Sequence, residues 1–401
     1  MNENYVVGID IGSSNVRVLT GELGDSERIK LIGVASNPVE GMAKGEVKDP
    51  QKVNQALRAA LEKAEKMAGV RIKGACVSIT GSGIRSFESE GVLTRQEKGV
   101  ISSVEADYVT ESARKVPLPA DRTVVHMLEQ SFMIDGRAGI DHPVGMAGSR
   151  LERKVHIVTS VRRQAELLKE LLEWNGVELV NIVFAPLADG RLIRASSGGE
   201  PEGLLINIGG EVTSFALYSG GSLRSSGVIP VGGFNISNDL AIGMSLPLEL
   251  TEKMKKEVCL FSGRYGGALK DADADLEVEG VSYGVSVNET ARIVEPRCLE
   301  LFSLITEHAA PGGDLEGSVY LCGGGSRLEG LDNVAEEFFG LPAAVVTPAG
   351  VDGLVELAGD AGWVTGAGLL FEGMDLIADY RDNRVNGYFN RIINGFRKVV
   401  C

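Results

Sequence analysis

Two stretches of the chain share one pattern of apolar and polar positions. Residues 5–19, YVVGIDIGSSNVRVL, and residues 204–218, LLINIGGEVTSFALY, each run as an apolar strand, an acid or its amide, isoleucine, glycine, two or three small or polar residues and a second strand. Strand-like patterning on both sides of a glycine turn predicts a β-hairpin in each case. The first copy carries Asp10 where the second carries Asn207. A third strand is predicted around 29–36. Residues 51–68 then set Val53, Ala56, Leu57, Ala60, Leu61 and Ala64 on one stripe, an amphipathic helix closed by Gly69. GACVSIT follows as a strand, so strands and helices alternate as in mixed α/β layers.

The texture changes between Ser82 and His156, where short β-like pieces and one helical piece, SSVEADYVTESARKV, are divided by Pro, Gly and Asp turns. This reads as a compact inserted subdomain. KVHIVTS resumes a buried strand, and 162–175 is a helix with Gly176 as its C-cap. Beyond the second hairpin come a helix with charged faces around 247–260, turns over 262–282 and a helix over 288–308. The segment SVYLCGGGSRLEGLDNVAEEFFG then reads as strand, glycine turn and helix. Residues 372–386 are polar and turn-rich, as in a linker, and NGYFNRIINGFRKVV stands alone after them.

A chain of 401 residues exceeds what one core usually serves, so two or more domains are expected. The net charge of −15 argues against nonspecific nucleic-acid binding, which depends on clustered Lys and Arg. Five scattered cysteines without a CxxC pair fit a reducing compartment, and the four histidines share no ligand spacing. No apolar run approaches the roughly 20 residues that span a bilayer, so a membrane would be met from one side.

The glycine turns carry the candidate chemistry. A hairpin with glycine at its turn brings backbone N–H groups close to a phosphate. In the first, Gly12, Ser13 and Ser14 offer amides and hydroxyls, and Asp10 can hold Mg²⁺ through water. In the second, Gly209 and Gly210 offer amides and Thr213 a hydroxyl. In LCGGGSRLEGL, the turn Gly323, Gly324, Gly325 and Ser326 lets a flat base or ribose lie against the backbone. Each turn alone is more often only a turn; the signal is their ordered conjunction.

That order resembles the actin/Hsp70/sugar-kinase superfamily, in which ATP sits between two related domains. Within it the chain resembles the FtsA family of actin-like bacterial cell-division proteins, through VVGIDIGSSNVRVLTGEL, HPVGMAGSRLERKVHIVT, LYSGGSLRSSGVIPVGGFNISNDLA and IVEPRCLEL. The resemblance implies an actin-like (ribonuclease H-like) two-domain α/β fold with duplicated phosphate-binding hairpins and an inserted α+β subdomain. Its divisions fall at 1–81, the insert 82–156, the return and crossover 157–203, the second phosphate loop 204–232, a further subdomain 233–290, the adenosine loop and return 291–371, a linker 372–385 and a tail 386–401. It also implies a peripheral protein on the cytoplasmic face of the membrane at the division site. Such a protein binds ATP and Mg²⁺, forms filaments, holds the FtsZ C-terminal tail and recruits other division proteins through the insert. Glu252 and Lys255 match the superfamily's acid–base pair around the adenosine, or form a surface salt bridge. Arg297 matches the helix facing the acidic FtsZ tail, or is an exposed side chain.

The second loop departs from the superfamily's D-I-G-G-G-T-T-D: it has Asn207, Glu211, Val212 and Ser214. Neutral side chains at 207 and 214 imply at most weak hydrolysis. Glu211 either repels phosphate or turns outward. In the tail, Phe389, Ile392, Ile393 and Phe396 recur at helical spacing, with Arg391, Arg397 and Lys398 at the flanks or opposite face. A helix of about 15 residues is about 22 Å long, too short to span and suited to lie on anionic lipid; docking on its own domain is the other reading. A pilus-assembly adaptor of the PilM type and a sugar-kinase-type phosphotransferase are the alternatives. The second needs a general-base Asp that positions 207 and 214 lack.

Overall fold

The computed structural model describes residues 5–24, 28–257, 274–278, 281–311, 313, 315–354 and 359–386. The expected membrane-facing side chains at Phe389, Arg391, Ile392, Ile393, Phe396, Arg397 and Lys398 lie outside the described residues.

The chain opens with β1 (Tyr5–Ile11), β2 (Asn15–Leu23) and β3 (Ile29–Pro38), a short hairpin of β4 (Met42–Ala43) and β5 (Glu46–Val47), α1 (Pro50–Ala68) and β6 (Gly74–Ile79). An inserted unit follows: β7 (Arg85–Val100), α2 (Ser103–Arg114), β8 (Arg122–Ile134), β9 (Arg137–Ile140) and β10 (Ala147–Val161). Next, α3 (Arg162–Glu173), β11 (Glu178–Phe184) and α4 (Ala185–Ser197) lead into the second half. It comprises β12 (Gly203–Ile208), β13 (Thr213–Ser219), β14 (Ser222–Ile229), α5 (Gly233–Met244), α6 (Leu248–Glu257), β15 (Ala274–Val278), β16 (Val281–Val285), α7 (Val287–Ala309), β17 (Ser318–Cys322), α8 (Leu331–Phe339) and β18 (Ala343–Val345). Finally β19 (Val351–Gly353) and α9 (Val364–Asn386) return to the first half.

Among the described residues the two main sheets repeat one topology. The first runs β11-β6-β1-β2-β3-β19 and the second β14-β13-β12-β17-β18. In each, an antiparallel meander supplies three strands and two further strands add in parallel on the side of the meander's first strand; the first sheet carries in addition β19, parallel to β3 at its other edge. Both hairpins have the same register, with Asp10 opposite Arg17 and Asn207 opposite Ser214. The repeated sequence pattern is therefore a repeated sheet.

Local chemistry sets several boundaries. Asp49 accepts hydrogen bonds from the amides of Gln51 and Lys52 at the start of α1, and Gly69 ends it in the left-handed conformation at φ +66°. The predicted stripe of α1 is buried throughout against the first sheet. In α2, Ser102 and Glu105 form a reciprocal capping box.

Helices α4 and α9 lie between the sheets. Leu192 and Ile193 of α4 and Val364, Ala367 and Leu370 of α9 share one core with Val6 and Leu19 of the first sheet and Leu205 and Ala216 of the second. Residues 372–386, read from sequence as a turn-rich linker, instead continue α9. The packing explains the difference: its preceding turns are buried nearly all round, so helix formation rests on tertiary contact and not on propensity.

The insert also differs from its short-piece expectation. Its strands β7, β8 and β10 run for 16, 13 and 15 residues and form the antiparallel sheet β7-β10-β8-β9. It is fastened to both halves. The Phe184 amide at the head of α4 donates to His126 Nε2 over 2.9 Å, and His156 Nε2 lies 2.9 Å from Ser226 Oγ on β14. Gln130 Nε2 donates to the Leu223 carbonyl oxygen, and Arg224 donates to Gln130 Oε1.

Burial holds both His126 and His156 down, to about 4, well below the ordinary value of 6.5. Both rings are neutral in the fold, so their contribution is complete above about pH 6.5 and is lost as the pH falls towards 4, where unfolded chains take up protons first. Urea midpoints measured at pH 7 and pH 5 should fall more steeply for wild type than for His126→Gln/His156→Gln. The difference between the two slopes isolates the histidines from every other titrating group.

Candidate functional site

The hairpin β1–β2, the hairpin β12–β13 and the turn after β17 face one cleft of about 560 Å³. Its walls include Asp10, Gly12, Ser13, Ser14, Asn207, Gly209, Gly210, Glu252, Lys255, Gly323, Gly324 and Gly325. The fold thus gathers residues that the sequence spreads over more than 300 positions.

The two phosphate-loop candidates close in the same way. The Gly12 amide donates to the Asn15 carbonyl oxygen over 3.0 Å, and the Gly209 amide to the Val212 carbonyl oxygen over 2.9 Å. Those two amides are used inside their own turns. The amides that follow at Ser13, Ser14 and Gly210 have no backbone acceptor among the described residues. The loops lie against each other, since a β-carbon on Gly210 would press on Ser14 Oγ. Two expected donors stand apart from the cleft. Thr213 is fully buried and its hydroxyl donates to the Val231 carbonyl oxygen over 2.8 Å. Ser326 is buried and its hydroxyl donates back to the Gly323 carbonyl oxygen over 2.8 Å. Both hydroxyls hold local backbone; Ser214, opposite Asn207, lines the cleft instead.

Asp10 is not a free carboxylate. It accepts from Ser78 Oγ over 2.7 Å and lies 3.6 Å from the Arg17 guanidinium, which the hairpin register places opposite it. Burial pushes its carboxyl up, against the pull of Arg17 and Ser78. Asn207 sits at the matching position of the second hairpin. Its Nδ2 donates to Asp189 Oδ2 over 2.6 Å and to Thr365 Oγ1 over 3.0 Å. Asp189, on α4, is completely buried, and burial raises its carboxyl to about 7 against the hydrogen bonds from Asn207 and Thr365.

Glu211 turns out of the cleft. Its Oε2 accepts from the Lys44 amide over 2.6 Å, on the turn between β4 and β5. The outward reading of this carboxylate holds, and it ties the second loop to the first half.

On the other wall, Lys255 Nζ donates to the Gly233 carbonyl oxygen, Ser237 Oγ and Glu252 Oε1, at 2.9, 2.7 and 2.8 Å. Burial holds this ammonium below its usual value while Glu252 pulls it up. Glu252 and Lys255 are thus both an i,i+3 ion pair and part of the cleft wall. Gly323 ends β17 at φ +85°, and a β-carbon there would collide with Asn207 Oδ1 and the Ile208 carbonyl oxygen. Only glycine gives this close passage. At Gly324 a β-carbon would meet nothing, so the turn presents bare backbone to the cleft. Arg297 lies elsewhere, on α7, with its guanidinium held by both oxygens of Asp239 at 2.5 and 3.1 Å and by Glu300 at 2.5 Å.

Arg17, Ser78, Asp189 and Thr365 were not singled out in the sequence. Arg17 was accessible, because a turn closing Gly12 on Asn15 puts it opposite Asp10. An acid on the apolar face of FAPLADGRLIRA was the signal for Asp189. Thr365, 158 positions from Asn207, left none.

Glu211→Ala should unprotect the Lys44 amide. Loss of one hydrogen bond at a partly exposed site is worth about 1 kcal/mol, so hydrogen exchange of a peptide spanning 42–48 should quicken roughly fivefold. Unchanged exchange would show that the bond does not persist in solution.

Comparison with known proteins bears on what such a cleft belongs to. Residues 81–159 match the family model described as the SHS2 domain inserted in FtsA, and residues 204–368 that of cell division protein FtsA. Cell division protein FtsA of Pseudomonas aeruginosa is 32% identical over 385 residues, covering 95% of this chain and 92% of the relative. The Bacillus subtilis FtsA is 31% identical, covering 92% and 84%, and the Escherichia coli FtsA 28%, covering 93% and 91%. Among solved structures, a PilM-PilN type IV pilus biogenesis complex aligns with TM-score 0.65 at 18% identity, covering 92% of this chain and 98% of that one. MreB5 of Spiroplasma citri bound to ADP aligns with TM-score 0.51 at 14% identity, covering 94% and 98%. At those identities the structures speak for an actin-like fold alone.

Proposed function

This chain belongs to the FtsA family of cell division proteins, and on that premise we propose that it binds ATP with Mg²⁺ between its two halves. In this reading it polymerises and tethers the FtsZ ring to the cytoplasmic face of the membrane at the division site. The observation that carries the nucleotide reading is the pair of hairpins with one turn geometry, facing each other across a cleft whose third wall is bare glycine backbone. Phosphates would take the amides of Ser13, Ser14 and Gly210, and the ribose and base would lie between Gly323–Gly325 and the Glu252–Lys255 pair. Mg²⁺ usually keeps several waters and is held by one or two carboxylates plus phosphate oxygens. Asp10 fits that outer role, with Arg17 and Ser78 already orienting it. The cation would offset charge on the phosphates.

Hydrolysis is weak or absent in this reading. The second hairpin offers the neutral side chains of Asn207 and Ser214 to the cleft, and Asp189 behind them is sealed from solvent. A water there has no exposed carboxylate on that side to orient it.

The partner surfaces follow from charge and exposure. An acidic FtsZ tail reaching Arg297 would compete with Asp239 and Glu300 for the same guanidinium. The insert presents Val100, Val104, Tyr108 and Val144 exposed, an apolar set suited to division proteins or to another copy. In this reading attachment is made by the tail after Asn386, with its apolar and basic positions; no helix among the described residues is long and apolar enough to cross a membrane. Several copies along a filament would add avidity.

Two measurements test this. Calorimetric titration with ATP and Mg²⁺ should give one site per chain, with single-turnover hydrolysis far slower than that of robust ATPases. Full-length chain should co-sediment with liposomes containing anionic lipid, and a chain ending at Asn386 should stay in the supernatant. Equal pelleting of the two would remove the tail from the mechanism.

A further inference from the structure

The second hairpin has lost the acid that the first keeps, yet a carboxylate lies directly behind it. We propose that Asp189 is a positioning residue of the nucleotide cleft, fixing the Asn207 amide with its carbonyl oxygen towards the ligand, so that 189 and 207 form a matched acid–amide pair. The inference rests on the nucleotide reading of the cleft given above.

With Asp189 ionised, the geometry leaves the amide one orientation. Asp189 receives a hydrogen bond at each oxygen, from Asn207 Nδ2 at 2.6 Å and from Thr365 Oγ1 at 2.7 Å. Thr365 Oγ1 in turn accepts from Asn207 Nδ2 at 3.0 Å. In its ionised form Asp189 only accepts, and the threonine hydroxyl gives its one proton to it, so both neighbours of the Asn207 head group then require its NH₂ side. The carbonyl oxygen Oδ1 is left beside Gly323, at the cleft wall. Asn207 thereby presents an acceptor with no net charge, suited to a water of a hydrated divalent cation travelling with the nucleotide phosphates. An aspartate at 207 would face Asp189 across the same short distance, two carboxylates competing for one proton in a buried site. A carboxylate is present on this side of the cleft, on α4 directly behind Asn207.

The closed triangle also joins three elements from different parts of the fold, α4, β12 and α9, at the junction of the two halves. Asn207 is held from the helices between the sheets, and its orientation is tied to how the halves meet.

A double exchange tests the pair in full-length protein, using ATP affinity with and without Mg²⁺ and the thermal midpoint of the ligand-free chain. Asn207→Asp alone should lower the midpoint and weaken Mg²⁺-ATP binding about tenfold. Asp189→Asn alone, which frees the amide to flip, should reduce the gain in affinity that Mg²⁺ brings by a similar factor. The exchanged protein Asp189→Asn/Asn207→Asp restores one acid and one amide in contact, and should return both readouts to within about threefold of wild type or a few degrees. Additive losses in the double variant would overturn the pairing. Coupled midpoints with an unaltered Mg²⁺ dependence would reduce Asp189 to a buried structural group and overturn its positioning role. If wild type binds no nucleotide, the proposed function fails and the positioning role with it, while the midpoints still decide whether the two residues are paired.

Discussion

Where α4 meets α9, a β-carbon on Gly368 would collide with the backbone of Ala188, and this close approach governs the rest of the molecule. Packed at that distance, the two helices form one apolar slab against which both sheets lay a face, with Leu192 and Leu370 fully buried inside it. Each such side chain contributes about 1.5–3 kcal/mol relative to exposure, so the slab, and not the few polar contacts over the cleft, holds the halves in register. The hairpins face each other because the sheets carrying them share this support. The polar network of Asp189, Asn207 and Thr365 sits at its edge and inherits its precision.

The two hairpins show how a duplicated element diverges under one steric plan. Backbone register and turn closure are unchanged, because they depend on glycine and on strand pairing. The charges have been redistributed. In the first, Asp10 leans on Arg17 across its own hairpin; in the second, an amide stands in the strand and donates to an acid on α4.

The insert adds a second constraint. It grows from the first half, but His156 and Gln130 fasten it to β14, the edge strand of the second sheet. Covering an edge strand prevents unwanted pairing. Here it also means that the halves cannot separate at the cleft without disturbing the insert, so the insert and the cleft belong to one mechanical unit.

Much of this was written in the sequence. The paired hairpins, the stripe and C-cap of α1, the strand–glycine–helix segment at 318–339 and the actin-like fold class follow from periodicity, turn glycines and resemblance, all of which are local or cumulative signals. The length of β7, β8 and β10 did not, because these strands are interrupted by polar residues, many of them half-buried or exposed, and the Pro, Gly and Asp turns between them suggested shorter pieces. Helix α9 was hidden for the opposite reason: its glycines and weak periodicity describe a helix buried between two sheets, where tertiary packing overrides propensity. Glu211 could be read as repelling phosphate until the structure turned it to Lys44, 167 positions away. The missing acid at 207 was visible from the start. That Asn207 is bonded to Asp189 and Thr365 was decided only by the meeting of three distant elements, since hydrogen-bond partners across 18, 158 and 176 positions leave no periodic trace in a chain.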